Sequence, residues 1–330
     1  MGITRFPHGV SSFGIPLYGG GIGPIYPGDV HWVVKYKTTS SPPWELLYNN
    51  GIEDGDIFTD LSTAYAGTIT ARNDVVVLSP ESHTYAATLT WANYDTHLLG
   101  NQVGRPTQFQ RCRFGASANF TPVVTLSGWG CTWSNVRVAH GRGDAGNLVG
   151  VNMSGHYNNW TNVHLYSPGS TTEGDVGATM MSMSLAGGNN YFEGCTFGVD
   201  TIQRSAANSL ININTSATNN VFKNCIFHMF QDASTPYFIW VASGAGVQNR
   251  WTFFDDCLFV AYSTSWGTPL TTAVGYNYSG DGHRLIFKDC GFTGVTDIIA
   301  DTYENNIQMF GGNTYISANT VTGLTVVPVT

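Results

Sequence analysis

The most regular hydrophobic pattern in the chain is a phrase of Phe, two residues, Cys, one residue and Phe. It occurs at Phe109–Phe114, Phe192–Phe197, Phe222–Phe227, Phe254–Phe259 and Phe287–Phe292. Two variants begin at Trp133 and Trp160 and carry Val in place of Cys. The resulting column is Cys112, Val136, Val163, Cys195, Cys225, Cys257 and Cys290, in steps of 24 to 33 residues. A repeat of this period is typical of a solenoid.

The residue types of the phrase predict strands rather than helices, because β-branched and aromatic residues dominate it and helical spacing is absent. The opening aromatic and the Cys are three residues apart, so they cannot share one face of a straight strand. Six of the seven residues just before the Cys or Val are Asn, Asp or Gly, which tolerate left-handed backbone angles. We therefore expect a corner there, with Cys-x-Phe pointing inward on the next strand.

Stacking one coil per repeat by parallel pairing, about 4.8 Å apart, gives an all-β fold, a single-stranded right-handed parallel β-helix. The seven Cys and Val positions are its expected core ladder. We divide the chain into an extended Gly/Pro-rich N-terminal arm (1–29), an N-terminal cap region with a short helix (30–72), the β-helix (73–310) and a C-terminal strand or tail (311–330). Within the cap region we expect an edge-type strand at 30–37, a loop at 40–44 and a helix at 57–66.

The N-terminal arm combines many Gly and Pro residues, which forbid a regular helix or central strand, with scattered apolar side chains. Those apolar residues indicate an arm that lies on another surface; a disordered leader is the alternative. The candidate contacts with a partner are Arg5, Phe6, Pro7, Phe13, Ile15 and Tyr18.

Composition narrows the function classes. The net charge of −8 and pI near 5.5 argue against nucleic acid as a partner, because phosphate binding needs a basic surface. The sequence has no run of 18 apolar residues, so we expect no membrane span, and no signal-like start, so we expect synthesis in a cytoplasm. The cysteines are expected to be free, buried thiols; a metal site is the alternative, although no C-x-x-C pair occurs.

Candidate chemistry is sparse. A glycosidase needs two carboxyl groups about 5 to 10 Å apart, and Asp255, Asp256 and Asp289 are the best candidates. Asp256 and Asp289, however, occupy the corner position, and the corner conformation explains them without catalysis. We therefore predict no catalytic residues, no metal and no cofactor.

Other motifs are weaker still. The loop from His140 to Asp144 is interpreted as a solvated corner, with a ligand contact as the alternative. The segment Asp54–Asp56 resembles part of a calcium loop but lacks the full ligand spacing and the terminal Glu, so calcium is not expected there. Several aromatic residues could stack on sugars, namely Trp160, Trp240, Trp251, Trp266, Tyr276 and Tyr278. Trp160 falls at a core position of the repeat, and Tyr276 and Tyr278 are the preferred contacts.

The phrases Gly2–Pro7, Gly9–Gly14, Asn73–Pro80 and Leu99–Gly100 resemble those of tailed-phage virion proteins of the small β-helix type. The resemblance implies a virion structural protein, commonly a homotrimer, made in the host cytoplasm, with the major capsid protein and itself as partners. Our first hypothesis is a capsid decoration (cement) protein attached through its arm. The second is a short tailspike or fibre that binds or cleaves host surface polysaccharide, and the third a free polysaccharide lyase.

Overall fold

A computed structural model describes residues 28–38, 42–101, 112–140, 146, 148–214, 216–242, 250–263, 269–277, 283–317 and 327–328. Three mostly parallel sheets wind along one axis, and between residues 75 and 276 the chain visits sheets A, B and C in turn on each coil. The parallel β-helix predicted from the repeat is confirmed. None of the described helices is long and apolar enough to cross a membrane.

The strands of each sheet are given in spatial order for the described residues. Sheet A contains Ile57–Phe58, Val30–Val33, Val75–Leu78, His97–Gly100, Thr132–Ser134, Asn159–Thr161, Tyr191–Glu193, Asn220–Lys223, Trp251–Asp255, Arg284–Lys288 and Ile307–Phe310. Sheet B contains Ser82–Tyr85, Arg113–Ala116, Arg137–Ala139, His164–Tyr166, Thr196–Arg204, Ile226–Gln231, Leu258–Ser263, Gly291–Asp297, Thr314–Ser317 and Val327–Pro328, with Leu270–Thr272 beside Gly291–Asp297. Sheet C contains Leu89–Trp91, Val124–Leu126, Val149–Met153, Met181–Leu185, Ser209–Ile213, Tyr237–Val241 and Val274–Tyr276.

Aromatic ladders fill the interior. Phe192, Phe222 and Phe254 are in register on sheet A and stack at ring-centroid distances of 4.4 and 5.0 Å. Phe197 and Phe227 do the same on sheet B at 4.9 Å, and the two ladders meet edge to face. Offset stacking and edge-to-face contacts are the favourable geometries for such rings, so the repeat yields both register and core packing.

The predicted corner between sheets A and B is confirmed at every described copy. Its left-handed residues have φ between 51° and 59° and are Asn135, Asn162, Gly194, Asn224, Asp256 and Asp289. All seven residues of the Cys and Val column are buried, at 2 % exposure or less. The thiols of Cys225 and Cys257 donate to the carbonyls of Phe192 and Phe222 at 3.5 and 3.4 Å. All six cysteines are described, and they are buried thiols that form no disulfide, as expected.

The N-terminal region differs from the prediction in three places. The strand Val30–Val33 lies inside sheet A rather than at its edge, because Ile57–Phe58 pairs on its other side. The helix expected over 57–66 is only Leu61–Ala66, begun by Asp60, whose side chain accepts from Thr63 N. Where a loop was expected, Pro42–Asn49 is helical, with no buried residue in the helix.

A short helix covers the N-terminal end of the coil stack. Leu61 and Ala64 of the short helix pack into the first coil beside Val33 and Val76. Short 3-10 helices occupy Asp54–Asp56 and Asp301–Asn306, and a third short α-helix spans Thr171–Gly174. The last coil expected near Phe310 is present as Ile307–Phe310. The division into cap region, β-helix and tail stays a prediction.

Candidate functional site

Four rings lie side by side at the corner between sheets C and A, on three successive coils. They belong to Tyr94, Trp129, His156 and Tyr157, which we call the aromatic strip. Trp129 is central, with its ring centroid 5.8 Å from Tyr94, 4.8 Å from His156 and 6.3 Å from Tyr157. Tyr94, Trp129 and Tyr157 are 47 %, 45 % and 62 % exposed. Large aromatic side chains grouped on a surface mark a binding site rather than a core.

The backbone of this corner places the strip. A second column of residues with left-handed backbone runs along this corner. Its members are Asp95, Gly130, Tyr157, Asn189 and Asn219. Each N–H of Asp95, Gly130 and Tyr157 donates to a carbonyl on the following coil, at 2.8 to 3.1 Å. These bonds keep the preceding residues, Tyr94, Trp129 and His156, at equivalent positions on neighbouring coils, so that their side chains lie next to one another.

Tyr157 stands out in this column because it carries a bulky side chain at a φ of 58°. The other members are Asp, Gly and Asn, the types that adopt this conformation readily, whereas a bulky residue there carries a cost of about 1–2 kcal/mol. Such strained residues concentrate at functional sites. The exposed, strained tyrosine next to Trp129 therefore makes this corner the candidate binding site.

An asparagine ladder beneath the strip stiffens the corner. Asn158, Asn190 and Asn220 are buried, and the Oδ1 atoms of Asn190 and Asn220 accept from the backbone N–H of the preceding ladder residue at 2.9 and 3.0 Å. The coils pass so closely here that a Cβ on Gly155 would lie 2.0 Å from the carbonyl oxygen of Gly128. The strip thus rests on a rigid base.

The polar groups of the strip are few. Gly188 N donates to His156 Nδ1 at 3.0 Å, so the neutral imidazole carries its proton on Nε2. Arg72 lies on the preceding coil, but its guanidinium binds Asp74 at 2.6 Å and Asp29 at 2.8 Å. The strip is therefore close to neutral apart from the Asp95 carboxylate in its corner column.

The described residues that were singled out from the sequence lie outside the strip, and the others are not described. Arg5, Phe6, Pro7, Phe13, Ile15 and Tyr18 fall outside the described residues, as do Tyr278, Trp266 and the loop after His140. Tyr276 is only 6 % exposed and belongs to the core of sheet C, so its prediction as a sugar contact is wrong. Trp160 is fully buried, as its place in the repeat predicted.

The candidate carboxylates behave as structural groups. Asp256 and Asp289 have φ of 51° and 52°, the corner conformation expected for them. Asp255 pairs with Lys288 at 2.9 Å, and Asp289 Oδ1 accepts from Gly312 N at 2.7 Å. Asp54, in the segment compared with a calcium loop, instead meets Lys37 Nζ at 3.2 Å. Within the described residues, no three His, Cys, Asp or Glu side chains are grouped to hold a metal ion.

Sequence reasoning missed the strip because its members are scattered over 64 residues and follow no single motif. A signal was nevertheless present. Gly128, Gly155 and Gly187 recur at steps of 27 and 32 residues, the same steps that separate Val136, Val163 and Cys195. Aligning the repeats at these glycines would have placed Trp129 beside His156 and revealed the second corner.

No protein-family profile and no curated protein matches this chain. Among solved structures, pectin methylesterase from carrot is similar with a TM-score of 0.56 at 12 % identity, over 91 % of this chain and 86 % of that one. A pectin methylesterase mutant in complex with a hexasaccharide gives 0.55 at 14 %, over 88 % and 90 %. Pectate lyase Pel9A gives 0.52 at 11 %, over 80 % and 62 %.

A protein of Geobacillus virus E2, ORF18, aligns with a TM-score of 0.38 at 9 % identity, over 78 % of this chain and 57 % of that one, which supports no argument. At these identities the likeness concerns the fold alone. The chain shares its parallel β-helix with enzymes that act on polysaccharides, and its activity has to be argued from its own residues.

Proposed function

We propose that the protein is a structural component of a tailed-phage virion whose β-helix binds surface polysaccharide through the aromatic strip without cleaving it. The observation that carries the proposal is the exposed, strained Tyr157 beside Trp129 on a rigid corner. Sugar rings offer apolar faces that stack on Trp and Tyr, and aromatic rings with one wet edge suit this contact. The virion setting rests on the resemblance in the arm and first coils.

The chemistry of the strip favours neutral glycans. Its rings carry no net charge, the Arg72 guanidinium is bound by two carboxylates, and Asp95 repels anions. A polyuronate would bring a carboxylate to every sugar, and none of the described residues of the strip is a cation that could pair with it. We therefore expect uncharged sugars to bind more strongly than polygalacturonate.

The test is titration calorimetry of the full chain with dextran, chitosan oligosaccharides and polygalacturonate. We expect binding of a neutral or amine-bearing glycan, and at least about a tenfold loss for Trp129→Ala, since one stacked ring contributes about 1.4 kcal/mol. Tyr48→Ala removes a ring of similar exposure, 54 %, on the helix Pro42–Asn49 and serves as the control. Equal binding by Trp129→Ala and the native chain would overturn the assignment. Shortened glycan after incubation would show an enzyme instead.

A capsid decoration role through the arm is the second candidate, favoured by the Gly/Pro-rich phrase and its scattered apolar residues. Gly28 N donates to Asn73 O at 3.0 Å and Asp29 N to Asp74 Oδ1 at 2.8 Å, so these two residues belong to the folded body. Deleting residues 2–27 should therefore leave a folded chain that no longer attaches to capsids. Full decoration by the truncated chain would exclude the arm as the attachment element.

A further inference from the structure

We propose that the outer face of sheet A is a self-association surface on which two copies of this chain pack antiparallel about a two-fold axis. Inward-facing Phe192, Phe222, Phe254 and Phe287 alternate with an outward row of apolar side chains in register. That row is Tyr191, Val221, Phe253 and Ile286, on four successive coils. Every member is partly exposed; Trp251 lies two residues before Phe253 on the same strand, and Phe310 lies beside Lys288 on the following coil.

Beside the apolar row runs a second outward row of charged side chains. In register order it reads Glu193, Lys223, Asp255 and Lys288, so the sign of the charge alternates from coil to coil. Within one chain this order gives favourable neighbours, as the 2.9 Å pair of Lys288 with Asp255 shows. A contiguous apolar row with a charged rim is the usual composition of a protein interface.

The order of charges in this row favours a second copy of the chain as the partner of the outer face of sheet A. A two-fold axis lying in the interface and perpendicular to the solenoid brings apolar row against apolar row and charged row against charged row, with the coil order reversed. Because the signs alternate over four coils, reversal places Glu193 opposite Lys288 and Lys223 opposite Asp255, so opposite charges meet at every level. It also sets the large Phe253 against the small Val221, and Tyr191 against Ile286.

Other packings lack this match. A two-fold axis parallel to the solenoid puts the two charged rows on opposite sides of the interface, where they never meet. A three-fold assembly, which the virion resemblance implies, cannot place a face against itself in reversed order. Reversed packing therefore predicts a dimer and not a trimer, and the mass of the particle distinguishes the two.

Sedimentation equilibrium of the purified full chain tests the proposal, and two chains per particle are expected. Lys223→Glu places two carboxylates opposite each other twice across the axis, and should weaken the dimer at least about tenfold, because facing like charges are costly. Asp255→Lys should do the same. The double variant Lys223→Glu with Asp255→Lys restores opposite signs at each level and should recover the dimer.

Two controls keep the test decisive. Circular dichroism should stay near the native spectrum in all three variants, which shows that each one folds. The melting temperature should fall slightly where the dimer is weakened, and in both variants that carry Asp255→Lys also because that change breaks the surface pair with Lys288. Arg113→Glu, an exposed change on sheet B, should leave the mass unchanged. A native particle of one or three chains, or a double variant no better than the single ones, would overturn the proposal. Binding of glycan at the aromatic strip would be unaffected by either outcome.

Discussion

The guanidinium of Arg204 is 1 % exposed and donates to Asn208 Oδ1 at 2.7 Å. Its other donors reach the Ser167 carbonyl at 3.0 Å and Ser182 Oγ at 3.2 Å. Burial lowers the pKa of Arg204 to about 9. The Arg204 guanidinium thus links Ser167, in the loop after a sheet-B strand, to Ser182 on sheet C. It loses its contact with water in doing so.

Replacing Arg204 should destabilise the middle coils. Arg204→Ala leaves several buried neutral acceptors without a donor and opens a cavity, so we expect a loss of about 3–5 kcal/mol in the free energy of unfolding. Arg204→Lys keeps the positive charge but cannot donate to all of these acceptors. Its free energy of unfolding should lie between those of the native chain and the alanine variant. Urea unfolding followed by circular dichroism measures this. Equal midpoints for the alanine variant and the native chain would contradict it.

The asparagine ladder makes a second prediction. Asn190→Ala removes the acceptor of the Asn158 N–H and the donor to Gly155 O, both in the buried corner. We expect a loss of about 1–3 kcal/mol, the cost of leaving a buried donor unpaired. Asn214→Ala, at a half-buried position in the neighbouring coil, is the matched control and should cost less. The measurement is again the urea midpoint.

The Cys column should tolerate Val. Cys225→Val makes that position like Val136 and Val163 in earlier coils, so we expect a change below about 1.5 kcal/mol. Burial raises the pKa of the Cys225 thiol, which keeps it unreactive in the folded state. Because all six cysteines are buried, a thiol reagent should label them only after denaturation, and a reductant should not shift the melting temperature. Rapid labelling of the native chain would contradict the buried ladder.

Tyr157 should show opposite effects on stability and binding. Tyr157→Asn places a residue suited to φ of 58° in the corner, so we expect a gain of about 1 kcal/mol in the free energy of unfolding. The same change removes a ring from the aromatic strip and should weaken glycan binding. Thermal melting and the calorimetric titration together check both. A variant that loses stability would show that the ring supports the fold.

Stability should fall in mild acid. Burial lowers the pKa of His164 to about 3 and those of His97 and His283 to about 4. Below about pH 6.5 the unfolded chain takes up protons that the folded chain refuses, so each of these imidazoles costs up to about 2 kcal/mol at pH 5. The urea midpoint should drop between pH 7.5 and pH 5, and less so in His164→Gln. A flat profile would contradict the burial of these rings.

The sequence by itself determined the coil and one of its corners. Asn135, Asn162, Asn224 and their equivalents adopt the left-handed conformation because that preference is local to the residue type and needs no distant partner. The spacing of aromatic residues likewise determined which side chains face inward, since alternation along a strand is a property of the backbone.

Tertiary structure alone decided which surfaces the protein presents. Trp129 meets Tyr94 and Tyr157 only because coils of unequal length stack in register, and no local rule reports that the helix Pro42–Asn49 forms or that Tyr276 turns inward. Contacts between residues tens of positions apart depend on the coil stacking as a whole. The recurring glycines could have placed Trp129 beside His156, but the exposure of the rings and the contact with Tyr94 became visible only once the coils were stacked in space.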